Sequence, residues 1–179
     1  LVSGEADMIS YTPIDTIKNL DPTGEYVLET NSNGVGVEMT GIIPSSAQEG
    51  NPFADVKVRQ AFCYAVDVDT ITAALGYGYY TVTNQWAAPN TYNKEVAGYP
   101  YNPEKAKELL AEAGYGDGFD TTFWSPAGSS NWATAICDNL NAVGIRAKVE
   151  LIDGAKNGEL MTGGWDGIMF HYASVGPDL

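Results

Sequence analysis

The sequence predicts an α/β fold, a mixed sheet with flanking helices, on three observations. First, Phe119 to Trp124 and Ile145 to Leu151 alternate apolar and polar residues, the pattern of half-buried strands. Second, Asn131 to Val143 between them has helical spacing, with Ala133, Ile136, Cys137 and Leu140 on one face and Gly144 at the end. Strand, helix and strand in about thirty residues form a βαβ unit, so its two strands should be parallel. Third, helices with clear start signals precede this unit, and a further apolar strand follows it.

In chain order, Thr12-Pro13 opens a short helical turn to Leu20, and Asp21 to Gly24 is a turn. Tyr26 to Thr30 and Val35 to Met39 read as strands around a turn at Asn31 to Gly34, and Pro44 to Gly50 as a polar loop. Asp55 caps a helix from Val56 to Val66, with Val58, Ala61, Phe62, Ala65 and Val66 inward. Asp67 caps the next helix, through Leu75, which Gly76 to Tyr80 ends. Thr81 to Tyr99 is an irregular loop rich in Asn, Pro and aromatics, a length more often functional than idle. Asn102 and Pro103 start a helix with Ala106, Leu109, Leu110 and Ala113 on its buried face and Gly114 past its end. Ser125 to Ser130 is a loop, a short helix follows Asp153 to about Met161, and Gly167 to Tyr172 is the last strand.

The 179 residues carry 9 Lys and Arg against 23 Asp and Glu, a formal charge of −14. Half of that excess lies in the first fifty residues, where Lys18 is the only base. Such acidity makes nucleic acid a poor partner and disfavours anionic membrane, since phosphate and anionic lipid attract basic surfaces. Length predicts one core. Charged residues make up 18% of the chain, below the usual quarter or so, and 20 Gly and 11 Tyr fill the gap. No stretch approaches a membrane span. The chain opens at Leu1 without methionine or signal peptide and closes at Leu179 without a tail, so it reads as a segment cut at both ends.

The residues carry little chemistry. One histidine and two distant cysteines, Cys63 and Cys137, make no metal framework, and both thiols read as buried and free. No glycine pattern has the register of a phosphate cradle. His171 could serve a catalytic set only with a serine elbow, which is missing, so no catalytic residue is assigned. Aromatics beside polar groups are more informative. Asn84, Gln85 and Trp86 lie in the long loop, Trp124 ends a strand, and His171 and Tyr172 end another. Ligands of open α/β sheets bind beyond strand ends, and a flat ring beside an amide suits stacking with hydrogen bonding. These six are the candidate ligand-binding residues. The rivals are a hydrolase using His171 and an interaction domain using Trp86.

Two blocks carry a family resemblance. Asn51-Pro52-Phe53-Ala54-Asp55-Val56-Lys57-Val58-Arg59-Gln60-Ala61, continuing through Tyr64-Ala65-Val66-Asp67, closely resembles a segment of extracellular solute-binding proteins of family 5, the peptide/nickel group of ABC importer receptors. Tyr101-Asn102-Pro103-Glu104-Lys105-Ala106-Lys107-Glu108-Leu109-Leu110-Ala111-Glu112-Ala113-Gly114 is similar to another segment of that family, in matching order and spacing. Ser3-Gly4-Glu5-Ala6-Asp7 and Gly164-Trp165-Asp166 add to the likeness.

The resemblance implies one lobe of a two-lobe type II periplasmic-binding fold, with residues 1–24 leading into the interlobe crossing and 25–179 forming the ligand-binding lobe. It implies a monomeric receptor outside the cytoplasmic membrane, periplasmic or a surface lipoprotein. Such a receptor holds a small solute between its lobes and delivers it to ABC permease subunits, without a cofactor. In oligopeptide-binding members an aspartate three residues past the aromatic of the last strand meets the peptide's amino end, and basic residues meet its carboxyl end. Here the aromatic is Tyr172, the aspartate position is Val175, and Leu160, Met161 and Met169 take the basic positions. An oligopeptide is the first expectation for the ligand, with an oligosaccharide or a nickel chelate as alternatives.

Overall fold

Four strands, β1 (Val37–Pro44), β2 (Phe119–Pro126), β3 (Ile145–Ile152) and β4 (Ile168–Val175), make one sheet in the order β1-β4-β2-β3. The computed structural model describes residues 1–9, 12–29, 37–45, 50–85, 87 and 92–175, with the backbone alone for 37–40 and 172–175. β2 and β3 run parallel from Phe119 opposite Ile145 to Pro126 opposite Ile152, as the βαβ reading requires. β2 is also parallel to β4, with Trp124 opposite Met169, and β1 closes the sheet antiparallel to β4.

The helices are α1 (Ile14–Leu20), α2 (Val56–Ala65), α3 (Val68–Gly76), α4 (Pro103–Glu112), α5 (Ser130–Ala142) and α6 (Gly154–Gly163). Side-chain oxygens cap four of them. Asp55 accepts from Lys57 N at 2.7 Å, Asp67 from Thr70 N at 3.1 Å, Asn102 from Lys105 N at 3.0 Å and Asp153 from Lys156 N at 2.8 Å. Each satisfies an amide that the first turn leaves without a helical partner. Two side chains then tie helices to neighbouring elements: Asn139 Oδ1 accepts from Asp67 N, and Asn141 Oδ1 from Ala147 N on β3.

Helices α2 to α5 contribute their apolar stripes to one core with one sheet face. Phe53, Val58, Ala61, Leu110, Ala133 and Leu140 meet Phe123, Ile145 and Ile168 there, all nearly or fully excluded from water. Phe53 sits edge-on to Phe62 and Phe119, with ring centroids 6.1 and 5.5 Å away. Edge-to-face rings of this kind add stability beyond the area they bury. α6 covers part of the opposite face, where Ile152, Leu160 and Met169 form a second small cluster.

The structure corrects several expectations. Tyr26 to Glu29 is not a strand, and Val27 is 85% exposed. β-branched and aromatic residues form a strand only beside a partner. Residues 30–36 lie outside the described set, so the turn and the start of the next strand do too; β1 itself continues to Pro44 rather than ending at Met39. At the end of β3 the inward residue is Ile152, while Leu151 is 57% exposed. There α6 takes over from α5 as cover, and it packs on the opposite face. Ala127 to Ser129 form a 3-10 turn inside the expected loop. Cys63 is exposed while Cys137 is buried; neither is in a disulfide. Cys63 lies on α2 between inward residues Phe62 and Ala65.

Gly118, at φ +74°, donates its place to a close crossing: any Cβ there would overlap the carbonyl oxygen of Gly144, which accepts from Phe119 N at 3.1 Å. Gly118→Ala should therefore cost at least about 2 kcal/mol, read as a lower urea midpoint with an unchanged slope. Burial, with the Asp138 carboxylate nearby, pushes the Cys137 thiol up to about 11, so it stays protonated and unreactive at neutral pH. Iodoacetamide should label Cys63 in the native protein and Cys137 only after unfolding; equal native rates would contradict this burial.

Candidate functional site

The second sheet face carries Trp124 and a run of polar side chains. By strand alternation Asp120, Thr122 and Trp124 of β2 share this face, opposite Arg146, Lys148 and Glu150 of β3. α6 covers only the end of the face nearest Trp124. Both Trp124 and Trp165 pack half-buried against the Ile152, Leu160 and Met169 cluster. Their indole N–H groups are already engaged: Trp124 Nε1 donates to Asp166 O at 2.7 Å and Trp165 Nε1 to Ile43 O at 3.2 Å. What these rings offer a ligand is therefore flat apolar surface in a fixed orientation. The Lys156 ammonium lies 6.0 Å from the Trp124 ring centre, at the outer reach of a cation–π contact, and pairs with Glu159 at 2.8 Å.

The uncovered end of this face holds a hollow of about 500 Å³, lined in part by Asn51, Asp120, Thr121, Thr122, Lys148 and Asp166. Its acidic groups already have partners. Asn51 Nδ2 donates to Asp166 Oδ1 at 2.8 Å, and Arg146 Nε to Asp120 Oδ1 at 3.1 Å. The guanidinium of Arg146 holds the Asp120 carboxyl below its usual range. Both groups of that pair are exposed, so solvent screens the interaction.

The candidate residues do not form a single cluster of described contacts. Trp124 and His171 are on adjacent strands, β2 and β4, and His171 is half-buried opposite Gly41. Tyr172 follows it in β4, opposite Thr40. The side chains of Asn84 and Gln85 hold their own loop together. Asn84 Nδ2 donates to Val96 O at 3.1 Å, and Tyr92 Oη donates to Asn84 Oδ1 at 2.7 Å. Gln85 bonds Asn93 twice, donating from Nε2 to the carbonyl and accepting from the amide at Oε1. Trp86 lies outside the described residues. Sequence reasoning did not single out Asn51, Trp165 or Asp166 as joined groups; the family block that starts at Asn51 and the short Gly164-Trp165-Asp166 likeness were the available signal. Among the described residues no cluster of three His, Cys, Asp or Glu could hold a metal, and no helix is long and apolar enough to cross a membrane.

Comparison with known proteins adds to this geometry. The family profile of bacterial extracellular solute-binding proteins, family 5 Middle, matches residues 1–178. Heme-binding protein A of Haemophilus influenzae is 40% identical over 184 residues, covering 93% of this chain and 33% of that protein. Glutathione-binding protein GsiB of Salmonella choleraesuis is 38% identical over 109 residues, covering 57% of this chain and 21% of its own length. The chain thus spans about a third or less of these relatives. A periplasmic binding protein, DppA from Helicobacter pylori, in complex with the peptide STSA, shares the fold at a TM-score of 0.82 with 22% identity, over 98% of this chain and 34% of that one. With the two sequence blocks, the parallel βαβ unit and a profile match over nearly every residue, the chain belongs to the bacterial extracellular solute-binding proteins, family 5.

Proposed function

We propose that this chain is the ligand-binding lobe, residues 25–179, of the substrate-binding component of an ABC importer, with residues 1–24 leading into the crossing to a second lobe. The receptor works outside the cytoplasmic membrane as a monomer, periplasmic or lipid-anchored, and hands its solute to permease subunits. Identity of 40% across 93% of the chain with a protein named for binding carries this reading. It is a reading of capture rather than catalysis, in keeping with a Cys137 thiol held protonated.

The ligand is a small peptide-like solute. We assign the wall that meets it to Trp124 and His171, which strand alternation puts on the incompletely covered face, with Tyr172, next in β4, and Asn84, Gln85 and Trp86 of the long loop as further contacts. Leu160 and Met169, at positions where oligopeptide binders of the family carry bases, pack with Ile152 into a dry cluster behind Trp124. The ligand end that reaches α6 therefore meets the Trp124 ring, with the nearby ammonium of Lys156 already paired to Glu159. This favours short or blocked peptides, and flat apolar solutes as the second reading, over long peptides with a free carboxyl end.

Thermal unfolding of the two-lobe receptor with glutathione, a dipeptide pool, a tetrapeptide pool and hemin tests the reading. A ligand at a hundred times its Kd adds about 2.7 kcal/mol of stability, which raises Tm by several degrees. Tyr172→Ala and Trp124→Ala should each weaken the responding ligand roughly tenfold or more, the loss of about 1.4 kcal/mol of stacking. No stabilisation by any of the four would overturn the receptor reading, and unchanged affinity in both variants would overturn the proposed wall.

A further inference from the structure

Residues 14–23 join the lobe in an unusual way. α1 and the 3-10 turn Asp21–Thr23 contain no fully buried residue, so deep packing does not hold them. Two tyrosines from the turn after α3 reach them instead, across nearly sixty positions of sequence. Lys18 Nζ donates to Tyr77 Oη at 2.9 Å and lies 4.0 Å from the centre of the same ring, while also pairing with Asp15 at 2.9 Å. Tyr79 Oη donates to Asp21 Oδ2 at 2.7 Å. Both bonds are charge-assisted, the first through its ammonium donor and the second through its carboxylate acceptor, the stronger class of hydrogen bond.

The backbone at Tyr77 argues that the contact is not incidental. Its φ of 49° is left-handed, and among the described residues it is the one non-glycine there. A helix end in this conformation ordinarily takes glycine, because a Cβ is disfavoured. Gly76 and Gly78 flank it, yet the residue in the left-handed position is a tyrosine whose ring carries Lys18. Strain kept at one residue marks a geometry that its surroundings require.

We infer that Tyr77 and Tyr79 are positioning residues that clamp segment 14–23 onto the lobe and thereby set the angle at which the second lobe meets it. The clamp stands on the contacts above, and its effect on lobe closure rests on the receptor reading. Neither tyrosine is among the proposed ligand contacts. A shift in ligand affinity caused by changing them would act through the open and closed populations, since an altered fraction of the binding-competent state changes apparent affinity in proportion.

Hydrogen exchange of the full chain reads the clamp directly. In Tyr79→Phe and Lys18→Met the amides of 14–23 should exchange at least tenfold faster, while those of β3 keep their rates. Tyr77→Gly should speed exchange in the same segment without lowering Tm, since it removes the clamp and the strain together; a purely local folding role would lower Tm with no selective effect on 14–23. Unchanged exchange in all three variants would overturn the clamp. In the two-lobe receptor the same variants should shift ligand affinity several-fold. Faster exchange with unchanged affinity would overturn the coupling to closure. A parent receptor that binds none of glutathione, the peptide pools or hemin would end the receptor reading and the coupling with it, while the exchange result would still decide the clamp.

Discussion

The hydrogen bond from Asn51 Nδ2 to Asp166 Oδ1 joins positions 115 residues apart, and much of the structure turns on it. Asn51 is buried, and its other amide atom, Oδ1, accepts from Phe53 N, which starts the turn leading into α2. That turn places Phe53, fully excluded from water, between Phe62 and Phe119. On the far side, the main chain of Asp166 accepts the Trp124 indole, and the next residue, Gly167, accepts from Ser45 N at 2.7 Å. One short segment thus fixes the entry to α2, the tilt of Trp124 and the alignment of β1 with β4. A buried amide with both ends satisfied is specific in a way that apolar packing alone is not, because a misplaced partner would leave a polar group dry and unpaired.

The sheet has two unlike faces as a result. Four helices bury one of them, as parallel strands require. The other is covered only where α6 lies on Ile152 and Met169, leaving Thr122, Arg146 and Lys148 uncovered beside the hollow. Binding surface in such a protein must come from the incompletely covered face or from strand ends, since a fully packed face has no room for a solute. The half-buried rings of Trp124 and Trp165 border this partial cover, with their N–H groups tied to the backbone. Rigid rings make good contact surface because ordering them on binding costs little further entropy.

Surface charge contributes less to the fold than its amount suggests. Six ion pairs are present among the described residues, and four join residues three apart. Pairs of this kind, exposed to water, contribute little each. Lys57 and Glu112 are an exception in reach, linking α2 to α4, and Lys57 holds the Glu112 carboxyl below its usual range. Such a group contributes stability above its unfolded pKa and loses it as pH falls through the folded one, so this link gives way only once the pH drops below the usual carboxylate range.

Helices and the central βαβ unit were legible because their signals are local. Asp55, Asp67, Asn102 and Asp153 cap within three residues of themselves, and the apolar stripes of α2, α4 and α5 follow the helical period. Family membership was legible for the same reason, since its two motifs are continuous in sequence. Tyr26 to Glu29 was misread because strand formation needs a neighbour that local pattern cannot supply, and Leu151 because the covering helix changes face at the end of β3. The candidate site was legible only as residue types. Sequence by itself determined where the helices start and which faces they bury, because caps and periodicity are short-range. Tertiary structure alone decided that Gln85 spends its amide on Asn93, that Trp124 leans on Asp166 and that Tyr79 reaches Asp21. Each of those depends on where the chain returns in space, and no local pattern encodes that return.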